Sequence, residues 1–231
     1  ERATTEESYR RVVEDLRHPL QQRLVAQRPD ENRLILAGPG AGKTRVIVHR
    51  VAYLVRVLRE APASLIVLAF NRSAASEIRR RLHHLIANDA SRVTVLTYHA
   101  LALRLTGTSL RSLAENGREA DFDALLEDAL ALLQGRPDSL ALAGDSDELR
   151  ERLLAGYRHI LIDEYQDIDR RQFELISALA GRTLTDGERK LSVLAVGDDD
   201  QNIYSFRGSS TDFIRRFQDD YQAKVEFLVD N

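Results

Sequence analysis

A glycine-rich segment near the start of the chain has the residue types and spacing of a phosphate-binding loop. Gly38-Pro39-Gly40-Ala41-Gly42-Lys43-Thr44 matches G-x-x-x-x-G-K-[ST], in which backbone N–H groups surround nucleotide phosphates. An apolar run before it predicts a buried strand, and the residues after it predict a helix. This arrangement forms an anion site, because free N–H groups and the positive end of the helix dipole face the ligand. Of the 33 Lys and Arg residues only Lys43, Lys190 and Lys224 are Lys, which indicates that position 43 needs a compact ammonium.

Two carboxylates follow a second apolar run, His159-Ile160-Leu161-Ile162. In parallel α/β sheets ligands bind beyond the carboxyl ends of the strands. Asp163 is therefore expected to hold Mg²⁺ together with Thr44, and Glu164 to orient or deprotonate the attacking water. An acidic turn without chemistry is the alternative interpretation, and the phosphate loop elsewhere in the chain favours the functional one.

A third apolar run, 191–196, leads into the polar turn Gly197-Asp198-Asp199-Asp200-Gln201. Gln201 is expected to contact the γ-phosphate or the attacking water. Tyr204, Phe206 and Arg207 follow at once, and exposed aromatic rings with Arg are typical of proteins that stack single-stranded bases. The alternative is that Tyr204 and Phe206 belong to the core.

The elements that must position these residues alternate along the chain. Short runs rich in Val, Ile and Leu predict strands at 34–37, 65–70, 93–96, 160–162 and 191–196, with one more at 225–229. Helices are predicted at 45–60, 74–87 and 170–180, and residues 1–32 are expected to be helical with breaks at Pro19 and Pro29. Such alternation predicts an α/β fold with a central parallel sheet flanked by helices. Residues 105–156 are rich in Leu, Ala and acidic residues, and they predict a small helical insertion.

Composition narrows the class of protein. The chain has 231 residues, 43% hydrophobic residues and a net charge of −3, which suits a folded core and does not by itself indicate nucleic-acid binding. Charge is uneven, however, with basic residues in excess over 45–111 and acidic residues in excess over 112–200. The chain has no Cys, which excludes disulfides and thiolate zinc sites. No apolar run approaches the length of a membrane span, so a cytoplasmic location without membrane contact is expected.

Taken together, the ordered segments resemble the motor domain of superfamily 1 DNA helicases of the UvrD/Rep/PcrA type. The segments that carry the resemblance are 37–44, 68–75, Thr97-Tyr98-His99, Asp163-Glu164-Tyr165-Gln166-Asp167 and 197–208. The resemblance implies a RecA-like P-loop NTPase domain made of 1–104 and 157–231, interrupted by a helical insertion at 105–156. It also implies a DNA helicase that couples ATP hydrolysis to 3′–5′ movement on single-stranded DNA, with ATP and Mg²⁺ as cofactors.

The resemblance further implies a role for each matching residue. Lys43 would hold the β- and γ-phosphates, Thr44 and Asp163 the metal, Glu164 the water and Gln201 the γ-phosphate. Gln21, with Gln22 as the alternative, matches the glutamine that reads adenine, and Arg45 matches an arginine that packs on the base. The implied DNA contacts are Phe70, Asn71, Thr97, Tyr98, His99, Tyr204, Phe206 and Arg207.

The chain departs from the family pattern in three places. Tyr98 and Phe206 stand where the family usually has Phe and Trp, and the insertion is shorter than in the large members. In the family, the segment matching 228–231 is followed by Tyr-Arg, which contact the adenine and the γ-phosphate, and by a second RecA-like domain. The 231-residue chain alone is therefore expected to bind ATP weakly and to hydrolyse it very slowly.

Four alternatives belong to other classes or subclasses. A nucleotide-binding module that regulates a partner would share the phosphate loop, and the ATPase subunit of a recombination helicase–nuclease would share the whole motor. A P-loop kinase of a small metabolite has no need for a water-activating Glu at the end of the apolar run 159–162. The absence of an Asn-Lys-x-Asp segment argues against a GTPase.

Overall fold

The computed structural model describes residues 5–108, 121–136, 146–184, 190–198 and 211–228 of the chain. Its sheet contains six strands: β1 (Arg33–Ala37), β2 (Leu65–Ala69), β3 (Thr94–Thr97), β4 (His159–Ile162), β5 (Ser192–Gly197) and β6 (Lys224–Leu228). They are ordered β3-β2-β4-β5-β1-β6, and every neighbouring pair is parallel. The predicted parallel α/β fold is thus confirmed, with strand ends shifted by one residue or so.

Helices cover both faces of this sheet. In chain order they are α1 (Glu6–Val12), α2 (Pro19–Val25), α3 (Lys43–Arg56), α4 (Arg72–Ile86), α5 (Tyr98–Thr106), α6 (Phe122–Gln134), α7 (Ser146–Leu154), α8 (Arg170–Ala180) and α9 (Thr211–Tyr221). Pro19 does not break a helix but begins α2, where its missing N–H costs nothing. In the described part of the chain, no helix is both long and apolar enough to cross a membrane.

Adjacent strand residues point to opposite faces, so the sheet divides the interior into two apolar layers. On one face, Ile35 and Val67 pack with α1 to α4. On the other, Leu34 and Ile66 pack with α5, α6, α8 and α9. Burial on both faces explains why the central strands read as continuous apolar runs in the sequence.

The described part of the predicted insertion is helical. The apolar side chains of α6, among them Leu126 and Ala129, belong to the same apolar layer as α5 and α8. The predicted boundary at residue 105 falls inside α5. Whether 105–156 forms a separate subdomain stays a prediction.

Because the strands are parallel, their carboxyl ends lie along one edge of the sheet. The phosphate loop follows β1, the acidic pair follows β4, and Asp198 follows β5. These three strands are neighbours in the order β4-β5-β1, so the topology brings the three segments together. Strands β2 and β3 end on the same edge, beside β4.

Candidate functional site

The phosphate loop joins β1 to the N-terminus of α3. Gly40 and Gly42 have φ angles of +83° and +84°, a conformation that residues with a Cβ rarely adopt. Gly42 is the N-cap of α3, and no side chain in the described residues caps this helix. The first N–H groups of α3 are therefore open to an anion, and the helix dipole favours one.

The Lys43 side chain is engaged at the base of this loop. Its Nζ donates to Asp198 Oδ2 at 2.8 Å and lies 3.4 Å from the carbonyl oxygen of Ala37. Both members of the Lys43–Asp198 pair are largely buried, with 10% and 5% of their side chains exposed. The carboxylate of Asp198 thus holds the Lys43 ammonium at the phosphate loop.

The Thr44 hydroxyl connects the phosphate loop to the end of β4. Thr44 Oγ1 donates to Asp163 Oδ2 at 3.0 Å, and Asp163 is only 2% exposed. Burial, reinforced by the negative charge of Glu164, raises the pKa of Asp163 to about 6, although the Thr44 hydrogen bond and Lys43 oppose the shift. The Asp163 carboxyl therefore changes charge state close to neutral pH.

Thr44 and Asp163 offer a hydroxyl and a carboxylate oxygen side by side, which are the hard oxygen ligands that Mg²⁺ prefers. Among the described residues, no group of three or more His, Cys, Asp or Glu side chains could hold a metal. This donor set suits Mg²⁺, because Mg²⁺ usually keeps several waters and binds one or two carboxylates together with substrate phosphates.

Glu164 lies at the sharp turn after β4. Its backbone has φ 53° and ψ 51°, a left-handed conformation that is uncommon for a residue with a Cβ and that concentrates at functional sites. Its carboxylate accepts a hydrogen bond of 2.7 Å from Gln166 Nε2. The side chain is therefore held on the edge of the sheet that also carries Lys43 and Thr44.

Gln21 contacts the phosphate loop, whereas its neighbour Gln22 does not. Gln21 Nε2 donates to the carbonyl oxygen of Ala41 at 2.9 Å, and its buried Oε1 has no hydrogen-bond partner among the residues that the structure describes. Gln22 Nε2 instead donates to the carbonyl oxygen of Glu14. Of the two predicted adenine-reading residues, Gln21 is the one whose amide lies at the loop.

Arg45 also points from α3 toward the N-terminal segment. Its guanidinium donates to the carbonyl oxygen of Asp15 at 2.9 Å, and the residue is exposed. The Arg45 side chain therefore lies beside the short 3₁₀ turn 14–16 that precedes α2.

Four of the five described residues predicted to contact DNA lie where β2 and β3 end. Phe70 is 45% exposed, a large value for an aromatic ring. Asn71 and Thr97 are the N-caps of α4 and α5, accepting from the N–H groups of residues 74 and 100 respectively. The ring of His99 packs edge-on against Phe122 at a centroid distance of 4.9 Å, and Phe122 is 41% exposed. This edge therefore presents two helix N-termini and several aromatic rings.

The fifth, Tyr98, is a core residue in the structure, which corrects the expectation that its ring stacks on a base. Only 1% of Tyr98 is exposed, and its ring packs among Leu101, Ala102 and Leu105. These four positions follow the 3.6-residue period of the buried face of α5, which directs the ring into the apolar layer. The same burial raises the pKa of the Tyr98 hydroxyl.

The predicted residues Gln201, Tyr204, Phe206 and Arg207 lie outside the described residues. Their predicted contacts with the γ-phosphate and with DNA bases stay predictions.

A comparison with known proteins identifies the family to which this chain belongs. The AAA domain family AAA_19 matches residues 21–207, from Gln21 to the Tyr204–Arg207 segment. The chain belongs to this family. The AAA_19 match includes the phosphate loop, the acidic pair and the DNA-related segments, and the resemblance to superfamily 1 DNA helicases is confirmed.

Several curated relatives of this AAA_19 domain are named as helicases. The chain is 27% identical to DNA helicase II of Haemophilus influenzae, over 95% of the chain and 38% of that protein. It is 29% identical to ATP-dependent DNA helicase UvrD1 of Mycobacterium tuberculosis, over 91% of the chain and 36% of that protein. It is 31% identical to DNA helicase II of Escherichia coli, over 87% and 36% respectively. The chain thus spans little more than a third of the length of these relatives.

Three residues of the AAA_19 domain were missed by the sequence reasoning. Asp198 follows an apolar strand, and the rule that identified Asp163 would have identified it too. The sequence does not indicate that Phe122 is exposed. It lies three residues before Leu125 and four before Leu126, and this helical spacing predicts that all three side chains are buried on one face of α6. The contacts of Gln166 are made with residues that follow β4 and β5, and no local pattern predicts them.

Proposed function

We propose that this chain is the ATP-binding motor half of a DNA helicase that couples ATP hydrolysis to 3′–5′ translocation on single-stranded DNA. The observation that carries the proposal is the meeting of the Lys43–Thr44 loop with Asp163 and Glu164 at the ends of β1 and β4, the two strands that flank β5. Single P-loops occur in many enzymes, whereas this loop with a water-activating carboxylate suits hydrolysis of a nucleoside triphosphate.

Each side chain has a role in this proposal. The open N–H groups of α3 and the Lys43 ammonium bind the β- and γ-phosphates, and Asp198 gives up its bond to Lys43 as they enter. Glu164 orients the attacking water and accepts its proton. Gln21 reads the adenine, and Arg45 packs on the base.

Thr44 and Asp163 hold Mg²⁺, which supplies positive charge next to the phosphoryl oxygens when bound. Asp163 must be ionised to serve as a ligand, and its pKa of about 6 keeps it mostly ionised at neutral pH.

The DNA-binding surface in this proposal is the edge where β2 and β3 end. The N-termini of α4 and α5 favour phosphates, because their positive dipole ends point to that edge. Phe70, His99 and Phe122 offer ring faces and edges to unstacked bases. Asn71 and Thr97 keep the two helix ends in place. Tyr204, Phe206 and Arg207, which lie outside the described residues, are proposed to contact bases as well.

We also propose a domain organisation for the whole protein. Residues 1–104 and 157–231 form one RecA-like domain, 105–156 form its helical insertion, and a second RecA-like domain of the same polypeptide closes over the ATP. The protein works in the cytoplasm, on single-stranded DNA.

Steady-state ATP hydrolysis by the full-length protein, with and without a single-stranded oligonucleotide, tests the function. A translocase is stimulated by the oligonucleotide, whereas a regulatory nucleotide-binding module is not. Displacement of streptavidin from biotinylated oligonucleotides tests the direction. Removal from the 5′ end is the expected result, and removal from the 3′ end alone would contradict the proposed polarity.

A further inference from the structure

The side chain of Gln166 connects two strand ends within the candidate site. Gln166 belongs to the short 3₁₀ turn 165–167 after β4 and is only 6% exposed. Its Nε2 donates to Glu164 Oε2 at 2.7 Å, and its Oε1 accepts from the backbone N–H of Asp198 at 2.9 Å. The orientation of the amide is determined by its partners, because a carboxylate only accepts and a backbone N–H only donates.

Gly197 lies close to the amide of Gln166. A Cβ on Gly197 would lie 3.3 Å from Gln166 Oε1, so a larger residue there would press on the amide. Glu164, on the other side, has a left-handed backbone that must be maintained by its contacts. The hydrogen bond from Gln166 supplies such a contact at the carboxylate itself.

The second partner of Gln166 relates Glu164 to the phosphate loop. Asp198 binds Gln166 through its backbone and Lys43 through its side chain. The Glu164 carboxylate is therefore tied, through one amide, to the residue that contacts the phosphate-binding Lys. Lys43 can exchange its contact with the Asp198 carboxylate for phosphate while the backbone N–H of Asp198 keeps the amide in place.

We infer that Gln166 is a positioning residue for hydrolysis, which fixes the Glu164 carboxylate relative to the end of β5 so that it faces the attacking water. This inference rests on the proposed role of Glu164. It predicts that Gln166 acts on the rate of hydrolysis through Glu164 and not through nucleotide binding.

A double-mutant cycle in the full-length protein tests the inference. Gln166→Met keeps the length of the side chain and removes its hydrogen bonds to Glu164 and Asp198, together with the longer 3.4 Å bond to Asp167 Oδ2. Glu164→Gln removes the carboxylate. The measurements are kcat with saturating single-stranded DNA, the Kd of a non-hydrolysable ATP analogue, and the melting temperature. We expect Gln166→Met to lower kcat about 10²-fold with an unchanged Kd, since small misplacements of a catalytic group have effects of that order. In the Glu164→Gln background the same substitution should change kcat little, because the residues act as a unit.

The possible outcomes distinguish the positioning role of Gln166 from the proposed function. An equal loss of kcat in both backgrounds, or a wild-type kcat for Gln166→Met beside an inactive Glu164→Gln, would overturn the positioning role alone. A wild-type kcat for Glu164→Gln would overturn the proposed function and this inference with it. If Gln166→Met does not fold, Gln166→Glu replaces it, since that side chain can still accept from Asp198 N–H but cannot donate to Glu164. A wild-type kcat for Gln166→Glu would equally overturn the inference.

Discussion

The Lys43 ammonium lies between the carboxylate that it binds in this structure and the phosphates that it is proposed to bind. Asp198 neutralises Lys43, and both side chains are largely buried. At the same site, the Thr44 hydroxyl donates a hydrogen bond to Asp163. A nucleotide must therefore exchange these partners rather than enter an empty pocket. At this scale the site combines a buried ion pair, Lys43–Asp198, with a buried carboxyl, Asp163, that accepts from a neutral hydroxyl. The ion pair and the burial of Asp163 lead to the following two predictions.

Replacement of Lys43 should affect both binding and folding. Lys43→Ala should abolish ATP hydrolysis and weaken ATP binding. It should also lower the free energy of unfolding by about 3–5 kcal/mol, because it leaves the buried Asp198 without this cation. ATP titration and chemical denaturation measure the two effects. Arg80→Ala is the matched control, since it breaks the exposed pair with Glu77 and should change both quantities little. Equal ATP titrations for Lys43→Ala and wild type would contradict the assignment.

The raised pKa of Asp163 predicts a pH dependence with a defined sign. From its ordinary 3.8 up to about 6, the folded chain holds a proton on Asp163 that the unfolded chain releases. Stability contributed by this group is therefore lost as pH rises through that window, by about 3 kcal/mol in total. Denaturation of wild type and Asp163→Asn between pH 4 and 7 isolates the effect as the difference between the two curves. Parallel curves would show that Asp163 titrates normally.

At the scale of elements, two helix N-termini and the aromatic rings beside them define the proposed DNA surface. Asn71 and Thr97 are caps, so their side chains stabilise α4 and α5 directly. Their contact with DNA stays a prediction. Phe122, at the start of α6, brings the insertion to the same surface through its contact with His99. The insertion therefore contributes to the proposed binding surface as well as to the core.

Truncation of an exposed ring should separate DNA binding from stability. Phe122→Ala should lower the affinity of the full-length protein for single-stranded DNA by about 1–3 kcal/mol and leave nucleotide binding intact. Phe217→Ala is the control for a buried ring, and it should instead lower the free energy of unfolding by about 3–5 kcal/mol. Oligonucleotide titration and melting curves distinguish the two. If Phe122→Ala bound DNA like wild type, the ring would not belong to the surface.

The sequence allowed the strands to be predicted because both faces of the sheet are buried and their apolar runs are continuous. The predicted starts of α3 and α4 are about two residues too late, since the first turns of both helices are polar and lie at the edge of the sheet that carries the site. The prediction that Tyr98 stacks on a base was wrong. It followed the family pattern, although the helical spacing of apolar residues in α5 already indicated that Tyr98 is buried. The bonds of Asp198 and Gln166 join residues far apart in the chain, and local patterns carry no information about them.

At the scale of the whole molecule, the chain spans little more than a third of its curated relatives. The proposed site binds phosphates from one side, through Lys43, Thr44 and the N-terminus of α3. Phosphoryl transfer also requires positive charge on the opposite side of the transferred group. The proposal assigns that charge to residues beyond position 231.

The isolated 231-residue chain should accordingly be a poor enzyme. An arginine finger contributes about 10³–10⁵ to the rate, so the chain alone should turn over ATP slower than the full-length protein by a factor of that order. Steady-state turnover of both proteins, each with a single-stranded oligonucleotide, measures the ratio. Robust DNA-stimulated turnover by the isolated chain would place the missing charge within these residues.

The central claim is that Glu164 activates water at an ATP site built by Lys43, Thr44 and Asp163. The most direct measurement is ATP turnover by full-length Glu164→Gln and wild type at saturating single-stranded DNA, with ATP affinity determined for both. The account predicts that turnover falls by about 10²–10⁴, the range for loss of a general base, while ATP affinity is retained. Unchanged turnover in Glu164→Gln would contradict it.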